Sequence, residues 1–160
     1  MALKSYSKAL PALLIALASA TALHAQGSAM LTVAPPQKIT VKRGVTAESR
    51  LAVTLREGYH VNSNTPSEEY LIPLRLTWGE GALEAAEVVY PKPSMEQYSF
   101  SPKPLSVFTG KFDIVTKFKA AAGASPGPGV ATGRLRYQAC NDKACFPPRT
   151  VNVQLTYAIE

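Results

Sequence analysis

Six stretches of this chain alternate apolar and polar residues with a period of two: 38–41, 50–55, 73–78, 111–118, 132–137 and 150–157. Side chains of an extended strand point to opposite faces in turn, so each stretch would bury one face and wet the other. No segment after residue 25 carries a helical stripe. The chain has 13 prolines, mostly between the alternating stretches, and each removes a backbone donor that a helix interior needs. Turn-rich pieces lie at 56–58, 62–66, 79–81 and 122–129. Short strands at this spacing predict an all-β chain folded as a two-sheet antiparallel β-sandwich. Trp78, at the end of one stretch, is expected in the core. Residues 122–129 are expected to form an exposed loop between two strands.

The first 25 residues have the layout of a cleavable signal peptide. Lys4 and Lys8 precede an uncharged apolar stretch, Ala9 to Leu23, and Ala25 offers a small residue for cleavage. The cut is expected after Ala25, leaving a single domain over 26–160. The apolar stretch is short and alanine-rich for a membrane span, and no later segment is long and apolar enough. The expectation is a periplasmic or secreted protein with no stable membrane insertion. The net charge is +6, of which Lys4 and Lys8 contribute two. The remaining excess is scattered, its longest clusters being Lys42-Arg43 and Lys117-Phe118-Lys119. Without a basic stripe interleaved with aromatics, nucleic acid is not expected as a partner.

The chain has 2 cysteines, Cys140 and Cys145. Cys140 ends one strand stretch and Cys145 precedes the next, so the pair would close the neck of a hairpin, within disulfide range. A bridge across so small a loop contributes about 2 kcal/mol in the chain-entropy model, against about 4.7 for a loop of about a hundred residues. A domain of this size buries enough surface to do without a staple. Asn141, Asp142 and Lys143 keep the loop polar and near solvent, and accessibility is what exchange with an incoming thiolate requires. Three readings of the pair are open. It is a structural bridge in a non-catalytic binding module, a redox pair that exchanges with partners, or part of a copper-handling site in which Met95 or His60 joins two thiolates around Cu(I). Zinc lacks a second cysteine pair or a tight histidine spacing.

The segment Tyr137-Gln138-Ala139-Cys140, followed by Cys145-Phe146-Pro147-Pro148-Arg149-Thr150, resembles the N-terminal periplasmic domain of the thiol:disulfide interchange protein DsbD. That family carries a similar Tyr-Gln-x-Cys, a short polar loop and Cys-aromatic-Pro-Pro. Arg56 to Asn62 resembles its upstream Gly-Tyr strand, and the similarity runs from about Ile39 to Tyr157. The resemblance implies an immunoglobulin-like sandwich that needs no cofactor. It implies a thiol–disulfide oxidoreductase component, passing reducing equivalents from a thioredoxin-like or membrane thiol reductase to oxidised periplasmic thiol proteins. Cys145 would attack the partner and Cys140 would resolve the mixed disulfide. A loop with an aromatic tip would shield the pair, with Tyr98 and Phe100 as its candidates, though either could equally belong to the core. Tyr59, His60 and Tyr137 would support the site. His60 is read either as a proton carrier or as a hydrogen-bonded strand residue. The best-known members continue into a membrane domain and a thioredoxin-like domain, so for a chain ending at Glu160 the donor is expected to be a separate protein.

Overall fold

The computed structural model describes residues 29–160, so the leader and the cut expected after Ala25 lie outside the described residues. Every regular element described is a strand. In chain order they are β1 (Leu31–Val33), β2 (Ile39–Val41), β3 (Ala47–Leu55), β4 (His60–Asn62), β5 (Arg75–Trp78), β6 (Leu83–Val89), β7 (Ser94–Glu96), β8 (Leu105–Thr109), β9 (Lys111–Ala120), β10 (Gly127–Tyr137), β11 (Ala139–Cys140) and β12 (Arg149–Ile159). They form three four-stranded sheets, ordered β1-β3-β9-β6, β2-β12-β10-β5 and β11-β4-β8-β7. Neighbours run antiparallel, except that β2 lies parallel to β12. The all-β antiparallel architecture agrees with the alternation. The third sheet and the parallel pair are additions to it.

All six alternating stretches become strands, and their apolar positions build the core. Leu51, Val53 and Leu55 of β3 and Ile114 of β9 meet Leu135 and Tyr137 of β10 and Val153 of β12. A second cluster gathers Val41, Leu83, Phe118, Leu155, Tyr157 and Ile159. Fully burying one such aliphatic or aromatic side chain stabilises the fold by about 1.5–3 kcal/mol. Trp78 packs against both clusters, as expected of a core residue. Its ring meets Phe118 edge-on at 5.0 Å, and its Nε1 donates to Thr116 Oγ1 at 3.0 Å. The 122–129 loop is shorter than expected, because β10 begins at Gly127, which pairs with Ile159.

The third sheet does not follow the period of two. His60, Val61 and Asn62 of β4 are all buried, as are Leu105 to Phe108 of β8. One face of this sheet, Val61, Phe108 and Ala139, joins the main core. On the other, Leu105 and Val107 lie under Leu71 and Tyr98. A strand covered on both sides has no wet face, so its sequence carries no alternation.

Gly133 is a point where packing dictates the residue. It pairs with Trp78 across β10 and β5, and a Cβ there would lie 2.9 Å from Trp78 Cε3. Gly133→Ala is expected to cost about 1–3 kcal/mol through overpacking. Urea unfolding should read this as a lower midpoint, and Trp78 emission should change with it.

Candidate functional site

The cysteines are placed by a change of sheet. β10 and β12 pair over their whole lengths, and the last rung joins Tyr137 to Arg149. Beyond Tyr137 the chain leaves that sheet, and Ala139 and Cys140 join the third sheet opposite Val61 and His60 of β4. Successive side chains alternate faces, so Ala139 enters the main core and Cys140 the opposite side. Cys145 then pairs with Cys140 as an isolated antiparallel bridge. Their Cα atoms are 3.9 Å apart and their sulfurs are bonded. The pair therefore closes the neck of a small turn within the connection between β10 and β12, past the last rung of that ribbon.

The backbone of that loop is hydrogen-bonded. Asn141 N donates to Ala144 O at 3.0 Å, and Phe146 N donates to Ala139 O at 2.8 Å. Asn141 Oδ1 accepts from the amides of Lys143 and Ala144, both at 2.9 Å. The two cysteines differ in exposure: Cys140 is 0% exposed, whereas Cys145 is half-buried at the loop's exit.

Cross-strand register brings the remaining groups together. Thr109 of β8, His60 of β4, Cys140 of β11 and then Cys145 follow one another across the third sheet. Directly opposed antiparallel residues share a face, with Cβ atoms about 4.5–5.5 Å apart. The Tyr98 ring stacks on His60 at 3.9 Å and 17°. Phe100 lies parallel to Tyr98 within 14°, at 5.5 Å. The loop carrying both rings is held by Gln97 Nε2, which donates to Ser101 O at 2.6 Å. Ser99 Oγ donates to Asp142 O at 3.0 Å and so ties this loop to the cysteine loop. Tyr98 also packs against the Leu71, Leu105 and Val107 cluster, so it is both a core residue and part of the cover. Phe100 is 37% exposed.

His60 is only 2% exposed, and its Nε2 has no hydrogen-bond partner, contrary to the hydrogen-bonded strand residue expected. Burial pushes its imidazole down to about 4, opposed by the Glu96 carboxylate. Tyr98 Oη donates to Glu96 Oε2 at 2.7 Å. Burial, then this bond and the carboxylate's charge, raise the Tyr98 hydroxyl well above its usual range. Tyr59 reaches the cysteine loop through Phe146, the ring centroids 5.9 Å apart, and its own ring lies under the Arg56 guanidinium at 4.4 Å. Tyr137 supports the loop from the core side, and burial raises its hydroxyl. A groove of about 600 Å³ opens beside the cover, lined by His60, Glu96, Tyr98, Thr109 and Asp142 among others. Met95 is largely exposed on β7. Among the described residues no group of three or more His, Cys, Asp or Glu side chains could hold a metal ion.

The arrangement is a disulfide between one sealed and one half-buried cysteine, beside the stacked rings of His60, Tyr98 and Phe100. The family model for the N-terminal part of the thiol:disulfide interchange protein DsbD matches residues 28–156. The chain belongs to this family. Among solved structures, it is similar to the N-terminal periplasmic domain of ScsB from Proteus mirabilis, with 13% identity and a TM-score of 0.52, covering 78% of this chain and 44% of that one. It thus spans less than half the length of that structure. It is also similar to the DsbD N-terminal domain of Neisseria meningitidis in its reduced form, with 15% identity and a TM-score of 0.42, covering 69% of this chain and 80% of that one. No curated protein matches the chain. Family and strand topology together make it an immunoglobulin-like domain of the DsbD N-terminal family.

Several residues of the site escape sequence reasoning. Gln138, the residue at which the chain changes sheets, accepts from Asn62 Nδ2 at 3.2 Å and donates from Nε2 to Phe146 O at 3.2 Å. It thereby clamps β4 to the exit of the cysteine loop. Its place in the Tyr-Gln-x-Cys segment was the available signal. Glu96, Ser99 and Asp142 act across more than forty residues or through a single side-chain bond, and no local pattern marks them.

The buried imidazole makes stability depend on pH with a definite sign. Between pH 6.5 and about 4 the unfolded chain takes up a proton at His60 that the folded chain refuses. Stability from this group is therefore complete above pH 6.5, falls as pH drops toward about 4, and levels off below. The urea midpoint is expected to fall more for the wild type than for His60→Gln between pH 7 and pH 4.5. Carboxylates titrate in both proteins, so the difference between them isolates His60.

Proposed function

We propose that this domain is exported, loses its leader after Ala25, and in the periplasm passes reducing equivalents to oxidised thiol proteins through Cys140 and Cys145. The single observation that carries the reading is the unequal exposure of the two cysteines, Cys145 half-buried and Cys140 sealed from solvent. Family membership supports it. In the reduced domain the Cys145 thiolate attacks one sulfur of a partner's disulfide. A Cys145–partner bond forms and the partner's other sulfur leaves as a thiolate. Cys140 then attacks Cys145 Sγ, the Cys140–Cys145 bond forms, and the partner departs as a dithiol carrying two electrons. A dithiol donor of the thioredoxin-like or membrane reductase class restores the reduced pair by the reverse exchange.

The neighbouring residues have roles in this scheme. Gln138 and Phe146 hold the loop exit so that Cys145 returns to Cys140 after each exchange. The segment from Glu96 to Ser101, tied to Asp142 through Ser99, covers the row containing the disulfide until a partner displaces it. Tyr98 and Phe100 are the rings of that cover.

Cys145→Ser is expected to abolish reduction of a model disulfide protein, and wild-type rates in that variant would rule out the assignment. Cys140→Ser should accumulate a partner-linked adduct, visible by non-reducing electrophoresis. A reduction potential below about −300 mV would instead place the bridge among structural disulfides. For the cover, Tyr98→Ala is expected to speed reduction of the bridge by dithiothreitol several-fold, with a smaller effect from Phe100→Ala. Stopped-flow rates unchanged in both would remove the cover from the mechanism.

A further inference from the structure

We infer that His60 sets the redox poise of the pair by accepting a hydrogen bond from the Cys140 thiol, a partner that exists only when the disulfide is open. His60 stands directly opposite Cys140 across β4 and β11, so the two side chains share a face of the sheet. Both are sealed from solvent, His60 at 2% exposure and Cys140 at 0%. In the disulfide form His60 Nε2 has no partner. The groups around it do not fill that place: Tyr98 directs its hydroxyl to Glu96, Phe100 contributes only a ring face, and the register partner on the other side is Thr109. A neutral imidazole offers one acceptor nitrogen, and burial keeps this ring neutral near pH 7.

Opening the bridge creates a complementary need. Two electrons and two protons from a dithiol donor convert the Cys140–Cys145 bond into two thiols, while the donor closes its own disulfide. The thiol formed at Cys140 is a donor in a place that water does not reach. The orphan nitrogen and the new thiol satisfy each other. The penalty of an unsatisfied buried acceptor therefore falls on the oxidised state alone, which raises the reduction potential and makes the pair a better oxidant of its donor. His60 acts here as a positioning residue through Cys140. The inference deepens the exchange reading and rests on it for physiological direction, but its test needs only small thiols.

The experiment is the equilibrium of the domain with a glutathione buffer, for wild type, His60→Phe and His60→Gln. The phenyl ring keeps the stack under Tyr98 and lacks the acceptor, whereas the glutamine amide restores one. His60→Phe is expected to shift the equilibrium about tenfold toward the disulfide, which is about 30 mV for this two-electron couple. His60→Gln should recover most of that shift. An unchanged equilibrium in His60→Phe, or equal shifts in both variants, overturns the inference. A second measurement uses the wild type alone: the nitrogen resonance of His60 Nε2 should move on reduction, and a resonance indifferent to redox state overturns the inference even if the variants do not fold. If the glutathione equilibrium responds to His60 while no thioredoxin-type protein exchanges with the wild type, the exchange reading fails and the role of His60 stands.

Discussion

A short strand covered on both faces governs the rest of this molecule. β4 has three residues and none is exposed. Val61 belongs to the main core, while His60 and Asn62 lie on the opposite face, under a second layer in which Tyr98 stacks on His60, and Cys140 stands beside His60 within the sheet. Burying two polar side chains side by side is costly unless they find partners. Asn62 finds them through its amide nitrogen, at Ile72 O and Gln138 Oε1, while its Oδ1 has none. His60 is left with stacking alone. The position of Cys140, its isolation from solvent and the seat of the Tyr98 ring all follow from this layer.

The disulfide is a minor contributor to the architecture. The two hydrophobic clusters draw on all three sheets and do not depend on a bridge that closes a six-residue loop. Loop-closure entropy gives such a short cross-link little to do in the denatured chain. Its local bonds, by contrast, are numerous: the Asn141 turn, the Gln138 clamp and the Ser99 tie hold the loop's backbone through contacts that do not involve the sulfurs.

The legibility of the sequence tracks which surfaces are wet. Strands with one solvated face, such as β3, β9 and β12, display their period of two, and their existence was readable although their ends were drawn short. β4 and β8 bury both faces, and β6 exposes most of its residues across a register shift between Ala85 and Glu87. None of the three alternates, so β6 and the centre of the third sheet were invisible to that reasoning. The cysteine segment was legible because its spacing and flanking residues carry chemistry directly. Tyr98 and Phe100 were legible only through the family resemblance, which implies a loop with an aromatic tip. The row from Thr109 through His60 to Cys140 depends on register between strands more than thirty residues apart, which one sequence does not display.

The long β10–β12 ribbon also gives the domain two distinct poles. Its eleven rungs begin at Gly127 and Ile159 and end at Tyr137 and Arg149, beside the cysteine loop. At about 3.4 Å per residue, somewhat less where the sheet twists, the ribbon separates Glu160 from the sulfurs by roughly 30 Å. A dye, bead or surface coupled near Glu160 would therefore hold the domain with its cysteine pole pointing away from the attachment.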